Sequence, residues 1–193
     1  MRKIIVYIAT SADGYIARPD GGFEWLDRPR TAGDYGMGAF YRSIDTILWG
    51  RKTYDVAVSF QKQGVKGAGF DPKMKNFVFS HTPPASPAPG VEFVSEPIRQ
   101  FAQRLRATPG KDVWMIGGGG LIASFLDEGA IDEFIIHVIP TFIGEGIPLM
   151  APRHRTVPLA LRSCRRHSDG VVHLHYVVMK SGSSRKSSSK RAG

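Results

Sequence analysis

One short segment of the chain combines a glycine, two cations and a hydroxyl in four consecutive positions. Residues 46–49 are typical of a β-strand, and they are followed by Gly50, Arg51, Lys52 and Thr53. A backbone that leaves a strand and enters a helix presents unpaired N–H groups and the positive end of the helix dipole to a ligand. An arginine there can bind an oxyanion through two N–H groups. The segment therefore predicts a phosphate site, and a solvated helix start is the simpler alternative.

A second apolar strand pattern runs into four consecutive glycines. Residues 112–116 precede Gly117, Gly118, Gly119 and Gly120, and an apolar helix pattern then starts at Leu121 and Ile122. Glycine lets a backbone approach a pyrophosphate closely and adopt dihedral angles that other residues avoid. The spacing is not that of the six-residue Gly-x-Gly-x-x-Gly fingerprint, and the acidic residue that should follow it is missing. A flexible turn is the alternative, but the position between strand and helix favours a ligand-binding turn.

A third strand pattern ends in hydroxyls and an imidazole. Phe79 is followed by Ser80, His81 and Thr82. Serine and threonine are common in turns, so this segment alone is weak support for a site. In open α/β sheets, however, ligands bind beyond the carboxyl ends of the strands. Three such ends with polar or glycine-rich sequences predict a binding edge.

The elements that would position these segments alternate between β and α patterns. We predict strands at residues 3–10, 46–49, 75–80, 91–94, 112–116, 133–139 and 171–179, and helices at 36–44, 96–107 and 121–128, with a helix or turn from residue 50. This alternation predicts a mixed or parallel sheet covered by helices. Residues 11–29 form a polar loop that would serve as a lid. With no repeat or internal linker, residues 1–180 are predicted to form one domain.

Composition limits the classes of partner. The 193-residue chain has a net charge of +9, part of it in residues 181–193, a Ser/Lys/Arg tail that we expect to be disordered. A basic surface suits an anionic cofactor as well as nucleic acid, and the chain has no nucleic-acid reading motif. We therefore expect a small-molecule partner and no nucleic acid.

The cellular location is predicted from the absence of membrane-spanning and signal-peptide patterns. No apolar stretch approaches the roughly 20 residues that span a bilayer, and the N-terminus does not have the pattern of a signal peptide. The single cysteine, Cys164, suits a reducing compartment, and we expect it to be a buried or half-buried strand residue. These features predict a cytoplasmic protein that does not associate with membranes.

In their order and spacing the three segments resemble the dihydrofolate-reductase-like superfamily, including the reductase domain of bacterial riboflavin-biosynthesis proteins. The resemblance implies an α/β fold of three layers, with a central mixed, mainly parallel sheet flanked by helices. Residues 50–54 are similar to the family's Gly-Arg-x-Thr element, and residues 116–119 to its Ile-Gly-Gly-Gly segment, where the bond between Gly117 and Gly118 is expected to be cis. The resemblance implies NADPH contacts at Ala9, Ile16, Gly50, Arg51, Lys52, Thr53, Phe79, Ser80, Ile116, Gly117, Gly118, Gly119, Gly120, Leu121 and Ile122.

Two further positions follow from the resemblance. Asp34 lies where a dihydrofolate reductase has the carboxylate that hydrogen-bonds the pterin ring, and it could equally be a helix cap. Trp25 resembles the family's active-site tryptophan. Its longer spacing from Asp34, together with the Gly-x-Gly-x-Pro-Leu pattern in residues 140–149, favours the riboflavin-type branch over true dihydrofolate reductases. That branch is commonly dimeric, and the apolar last strands would suit an interface.

The resulting functional hypothesis is an NADPH-dependent reductase that transfers hydride to a small heterocycle, similar to 5-amino-6-(5-phosphoribosylamino)uracil reductase. A dihydrofolate reductase and a non-catalytic nucleotide-binding protein of the same fold are the alternatives. His137 lies in an apolar strand pattern and is expected to be a core or interface residue. His173 and His175 share a strand face at a spacing that could hold a metal, but with no third ligand nearby we expect none.

Overall fold

The computed structural model describes residues 1–29, 33–65 and 69–179. In chain order its strands are β1 (Ile4–Ser11), β2 (Tyr15–Ala17), β3 (Ile44–Gly50), β4 (Lys75–Phe79), β5 (Val91–Val94), β6 (Asp112–Gly117), β7 (Glu133–Ile139), β8 (Ile147–Pro148), β9 (Leu159–Arg166) and β10 (Val172–Val178). The helices are α1 (Met37–Ser43), α2 (Arg51–Lys62), α3 (Ile98–Ala107) and α4 (Gly119–Asp127), with a 3-10 turn at Glu24–Leu26. The predicted disorder of residues 181–193 lies outside the described residues.

Eight strands form the central sheet, in the order β5-β4-β3-β6-β1-β7-β10-β9. The strands from β5 to β7 run parallel, and β10 is antiparallel to both of its neighbours. The two short strands β2 and β8 pair with each other outside this sheet. The predicted mixed, mainly parallel α/β fold is confirmed.

Alternating side chains of the central strands build a separate core on each face of the sheet. In β1, Ile4 and Val6 belong to the core that contains residues of α3 and α4, whereas Ile5 and Tyr7 belong to the core that contains residues of α1 and α2. This follows from the two-residue period of a strand, and a strand buried on both faces reads as a continuous apolar run. Each fully buried side chain of this size contributes about 1.5–3 kcal/mol to the free energy of folding. The three layers are therefore specified mainly by hydrophobic burial.

The main error of the sequence prediction lies between the last two predicted strands. Residues 140–170 lie between the predicted strands 133–139 and 171–179, and they contain β8 and the eight-residue edge strand β9. Every residue of β9 is exposed, including Cys164, so the expectation of a buried or half-buried cysteine is wrong. A run with three arginines among eight residues carries no burial pattern. Its strand conformation comes from hydrogen bonding to β10, which is a tertiary effect.

The segment predicted as a lid is fastened to the loop that follows β7. The Ala12 N–H donates to the Thr141 carbonyl at 2.8 Å, and the Leu149 N–H donates to the Gly14 carbonyl at 3.1 Å. The pairing of β2 with β8 adds to this attachment. Residues 11–17 and 141–149 therefore form one connected wall above the end of β1.

Candidate active site

Two helices begin side by side at the edge where β3 and β6 end. Gly50 precedes α2 and Gly118 precedes α4. A Cβ atom on Gly50 would lie 3.0 Å from the Gly118 nitrogen and 3.2 Å from the Gly117 oxygen, so the two turns meet backbone to backbone. The peptide bond between Gly117 and Gly118 is cis, as the resemblance implied. Gly50 is therefore required by this close approach, and Gly117 by its φ of 122°, which other residues rarely adopt.

The start of α4 is suited to an anion. Its first turn is closed by the Ile122 N–H, which donates to the Gly118 carbonyl at 3.1 Å. The N–H groups that precede Ile122 have no acceptor within the helix, and the dipole places partial positive charge there. A Cβ on Gly120 would meet no protein atom within 4 Å, so this turn is open on its outer side. An anion can approach the Gly120 side of this turn without displacing side chains.

Arg51 connects the end of β3 to the end of β4. Its Nε donates to both carboxylate oxygens of Asp55, at 3.0 and 3.1 Å, and its Nη1 donates to the Thr82 carbonyl. The Thr82 N–H donates to Ser80 Oγ at 3.1 Å. The structure thus brings together two of the three polar strand ends found in the sequence, beside the glycine turn.

The remaining predicted cofactor residues divide into two groups. The Phe79 ring packs against Phe101 and Phe125 at 4.9 and 5.0 Å, and Ile122 is fully buried. These two side chains belong to the core, which leaves their backbone groups for contact with a ligand. Lys52 is exposed, and Thr53, Leu121 and Ile16 are half-buried.

A cavity of about 370 Å³ lies where β1, β6 and β7 end. Its lining is mainly apolar and consists of Tyr7, Ile8, Ala9, Leu26, Arg28, Asp34, Tyr35, Met37, Trp114, Ile116, His137 and Ile139. The Ile8 side chain lies 3.7 Å from the position of a Cβ on Gly117, so the cavity is next to the glycine turn. An apolar cavity with a few polar groups, adjacent to an anion-binding turn, is typical of a cofactor-dependent active site.

Asp34 lies just before α1 and on the cavity wall. Its carboxylate accepts hydrogen bonds from the Gly36 and Gly38 N–H groups, both at 2.9 Å, and it also lines the cavity. The bonds from Gly38 and then Gly36 hold the pKa of this exposed carboxyl below its usual value. Asp34 is therefore a carboxylate at neutral pH, able to accept a further hydrogen bond.

Tyr7 and His137 are polar groups of the cavity that sequence reasoning did not assign to the site. Burial, followed by the charge of Asp34, raises the pKa of Tyr7 to about 12. Burial and the neighbouring His173 lower the pKa of His137 to about 4. The His137 Nε2 lies 3.5 Å from the Tyr7 hydroxyl. Both groups are neutral at pH 7 and can exchange hydrogen bonds without carrying charge.

Trp25 lies close to the cavity and not on its wall. It is 9% exposed and packs in a small cluster with Ile139 and Val171, while its neighbour Leu26 lines the cavity. Its Nε1 is buried and has no hydrogen-bond partner among the described residues.

The pair of histidines on β10 is used in packing and hydrogen bonding. The His173 ring lies 4.7 Å from that of His137, and His175 Nε2 lies 2.9 Å from the Glu133 carboxylate. Within the described part of the chain, no group of three or more His, Cys, Asp or Glu residues could hold a metal ion. No helix in that part has the length and hydrophobicity needed to cross a membrane.

Known proteins share this arrangement over most of the chain. Residues 97–173 match the family described as the RibD C-terminal domain. The uncharacterized protein YwjB of Bacillus subtilis is 38% identical over 177 residues, which cover 91% of this chain and 98% of that one. The chain belongs to the RibD C-terminal domain family. A 74-residue stretch is also 36% identical to the riboflavin biosynthesis protein RibD of Corynebacterium ammoniagenes, over 38% of this chain and 22% of that one.

Solved structures agree with this assignment. A putative riboflavin biosynthesis protein from Shewanella sp. PV-4 has a TM-score of 0.80 at 27% identity, over 92% of this chain and 99% of that one. A dihydrofolate reductase from Enterococcus faecalis, complexed with NADP(H) and RAB-propyl, has a TM-score of 0.62 at 15% identity, over 92% and 97%. At that identity the second likeness is one of fold. The resemblance read from the sequence, to the dihydrofolate-reductase-like superfamily and its riboflavin branch, is confirmed.

Proposed function

We propose that this member of the RibD C-terminal domain family is an NADPH-dependent reductase that transfers hydride to a small heterocyclic substrate. The observation that supports the proposal is the junction of two helix N-termini beside an apolar cavity. The junction suits the phosphates of a dinucleotide, and the cavity is large enough for the reacting rings. The two features meet where the Ile8 side chain of the cavity wall lies 3.7 Å from the position of a Cβ on Gly117.

The residues present fit NADPH. In this proposal the turn Gly117–Gly120 and the start of α2 hold the pyrophosphate, and Arg51 with Ser80 holds the 2′-phosphate. Ala9 and Ile116, which line the cavity, would face the nicotinamide. When bound, the cofactor supplies the hydride, and the protein sets the distance to the substrate and excludes water.

On the substrate side, the charge states of the cavity groups decide their roles. Asp34 is ionised, so it would orient a ring by accepting an N–H hydrogen bond, and its low pKa makes it a poor proton donor. Tyr7 keeps its proton at neutral pH and would donate a hydrogen bond to the reduced atom. Trp25 would hold the wall that Leu26 presents to the substrate. The hydride transfer would be similar to that of a 5-amino-6-(5-phosphoribosylamino)uracil reductase such as the Thermotoga maritima protein with the same fold.

A second copy of the chain is the proposed partner of β9. This edge strand exposes its backbone, and Leu159 and Leu161 are 43% and 58% exposed. Long exposed edge strands with apolar side chains tend to pair with another chain. Light scattering of the native protein and of Leu161→Glu tests the proposal. A native monomer would contradict it.

The first experiment is a tryptophan fluorescence titration with NADPH and with NADH. Tight binding of NADPH and weaker binding of NADH are expected, because Arg51 and Ser80 would bind the additional phosphate. Turnover is then followed by NADPH absorbance with pyrimidine and pterin compounds, dihydrofolate included. Rapid turnover of dihydrofolate would favour a dihydrofolate reductase instead. Binding of NADPH with no turnover of any compound would favour a non-catalytic nucleotide-binding protein, and binding of neither cofactor would contradict the proposal.

A further inference from the structure

The cavity wall contains an incompletely paired cation, Arg28. The Arg28 Nη2 donates to the Asp169 carbonyl at 2.6 Å, which fastens the side chain to the turn between β9 and β10. The Arg28 Nη1 is buried and has no hydrogen-bond partner among the described residues, and Arg28 lines the cavity. Leaving a buried N–H of a charged group unpaired is costly, and an anionic ligand in the cavity would remove that cost.

The orientation of Arg28 is held by its neighbours. Tyr35 also lines the cavity, and its hydroxyl donates to the Asp169 carboxylate. That hydrogen bond and, less strongly, the charge of Arg28 hold the pKa of Asp169 below its usual value. The turn that carries Asp169 is therefore connected to two residues of the cavity wall. A guanidinium fixed in this way loses little conformational entropy when it binds a ligand.

We infer that the substrate of this cavity carries a single anionic oxygen group, such as a ring carboxylate, which Arg28 Nη1 binds. The inference rests on the proposed reductase function, because it concerns the substrate of the same site.

Charge and volume favour a carboxylate over a phosphate. Arg28 is the one cationic side chain among the described residues that line the cavity, and the Asp34 carboxylate lines it too. A phosphate carries nearly two negative charges and is usually bound by several donors, whereas one half-engaged guanidinium matches a monoanion. The volume of about 370 Å³ also includes the part next to Ala9 and Ile116, which the nicotinamide would use. What remains suits a ring with a small substituent.

Isothermal titration calorimetry with matched probes tests the inference. Orotate, a pyrimidine carboxylate, is compared with its neutral methyl ester and with uridine 5′-monophosphate, each in the presence of NADPH. The native protein is expected to bind orotate about ten- to a hundredfold more tightly than the ester, as for a hydrogen bond between charged groups. Pterin-6-carboxylate and pterin form a second matched pair, in case the ring is bicyclic.

Variants assign the effect to Arg28. In Arg28→Gln the preference for acid over ester should disappear, and in Arg28→Lys it should be reduced. Arg18→Gln is the matched control, because Arg18 lies in the same segment, pairs with Glu24 and does not line the cavity. It should keep the native preference. Melting temperatures show whether the loss of the bond to Asp169 unfolds the wall. If Arg28→Gln does not fold, the affinities of the native protein for the acid and for its ester still test the inference.

The results that overturn the inference are specific. They are equal affinity for acid and ester in the native protein, tighter binding of the phosphorylated nucleotide than of orotate, or no binding of either acid at millimolar concentration. Failure to bind NADPH in the parallel titration would contradict the proposed function instead. In that case the ratio of the affinities for acid and ester, measured without cofactor, would still test whether Arg28 binds an anionic group.

Discussion

Replacing Gly50 by alanine should loosen the junction between α2 and the glycine turn. The new Cβ would lie 3.0 Å from the Gly118 nitrogen and 3.2 Å from the Gly117 oxygen. Ordinary van der Waals contact is about 3.5–4.0 Å, so these backbone atoms must move apart by several tenths of an ångström. The φ angle of Gly50 is −75°, which alanine adopts readily, so the effect is purely steric. Overpacking of this kind costs about 1–3 kcal/mol.

The loss should be measurable both in stability and in cofactor binding. For a domain of this size each kcal/mol lowers the melting temperature by about 2–4 °C, which gives a decrease of about 2–12 °C for Gly50→Ala. Differential scanning calorimetry measures it. NADPH affinity should fall as well, because the N–H groups of α2 and α4 would no longer face the same anion.

Gly120→Ala separates the two effects. A Cβ at this position meets no protein atom within 4 Å, and alanine in a helix is up to about 1 kcal/mol more favourable than glycine. The melting temperature should stay the same or rise, whereas NADPH binding should weaken if the cofactor covers this turn. A native melting temperature and native NADPH affinity in Gly50→Ala would refute the argument that the two turns are in tight contact.

Three further predictions concern single side chains. His137 has a pKa of about 6.5 in the unfolded chain and about 4 in the folded one. The folded state is therefore favoured fully above pH 6.5, and about 3 kcal/mol of the free energy of unfolding is lost as the pH falls to 4. Urea unfolding at several pH values should show this slope, and an identical slope in His137→Gln would contradict it. Arg51→Gln should raise the dissociation constant of NADPH about tenfold and leave that of NADH nearly unchanged, as judged by fluorescence; equal weakening of both would argue against a 2′-phosphate contact. Gly146→Ala places a Cβ 2.2 Å from the Ala17 carbonyl oxygen, so limited proteolysis should cleave residues 11–29 faster than in the native protein. An unchanged rate of cleavage would mean that the pairing of β2 with β8 tolerates the additional methyl group.

Much of the fold could be read from the sequence, because its signals are local. The apolar runs that became β1, β6 and β7 pack against a core on each face of the sheet, and such strands stay continuous in the hydrophobic pattern. Gly50 and Gly119 lie in close contact with neighbouring backbone, and the sequence shows this part of the site as a strand that ends in glycine. Strand β9 carried no such signal, since an exposed edge is specified by its neighbour rather than by burial.

The sequence by itself determined the layered α/β fold and the glycine-rich helix starts, because hydrophobic periodicity and the absence of a Cβ act within a few residues. Only the tertiary structure decided what lines the cavity. Ala9 and His137 are partners across β1 and β7, although 128 residues separate them in the chain. Arg28 reaches the turn at Asp169, 141 residues away. The pKa of His137 and the free nitrogen of Arg28 depend on burial by distant segments, and desolvation is a property of the assembled fold.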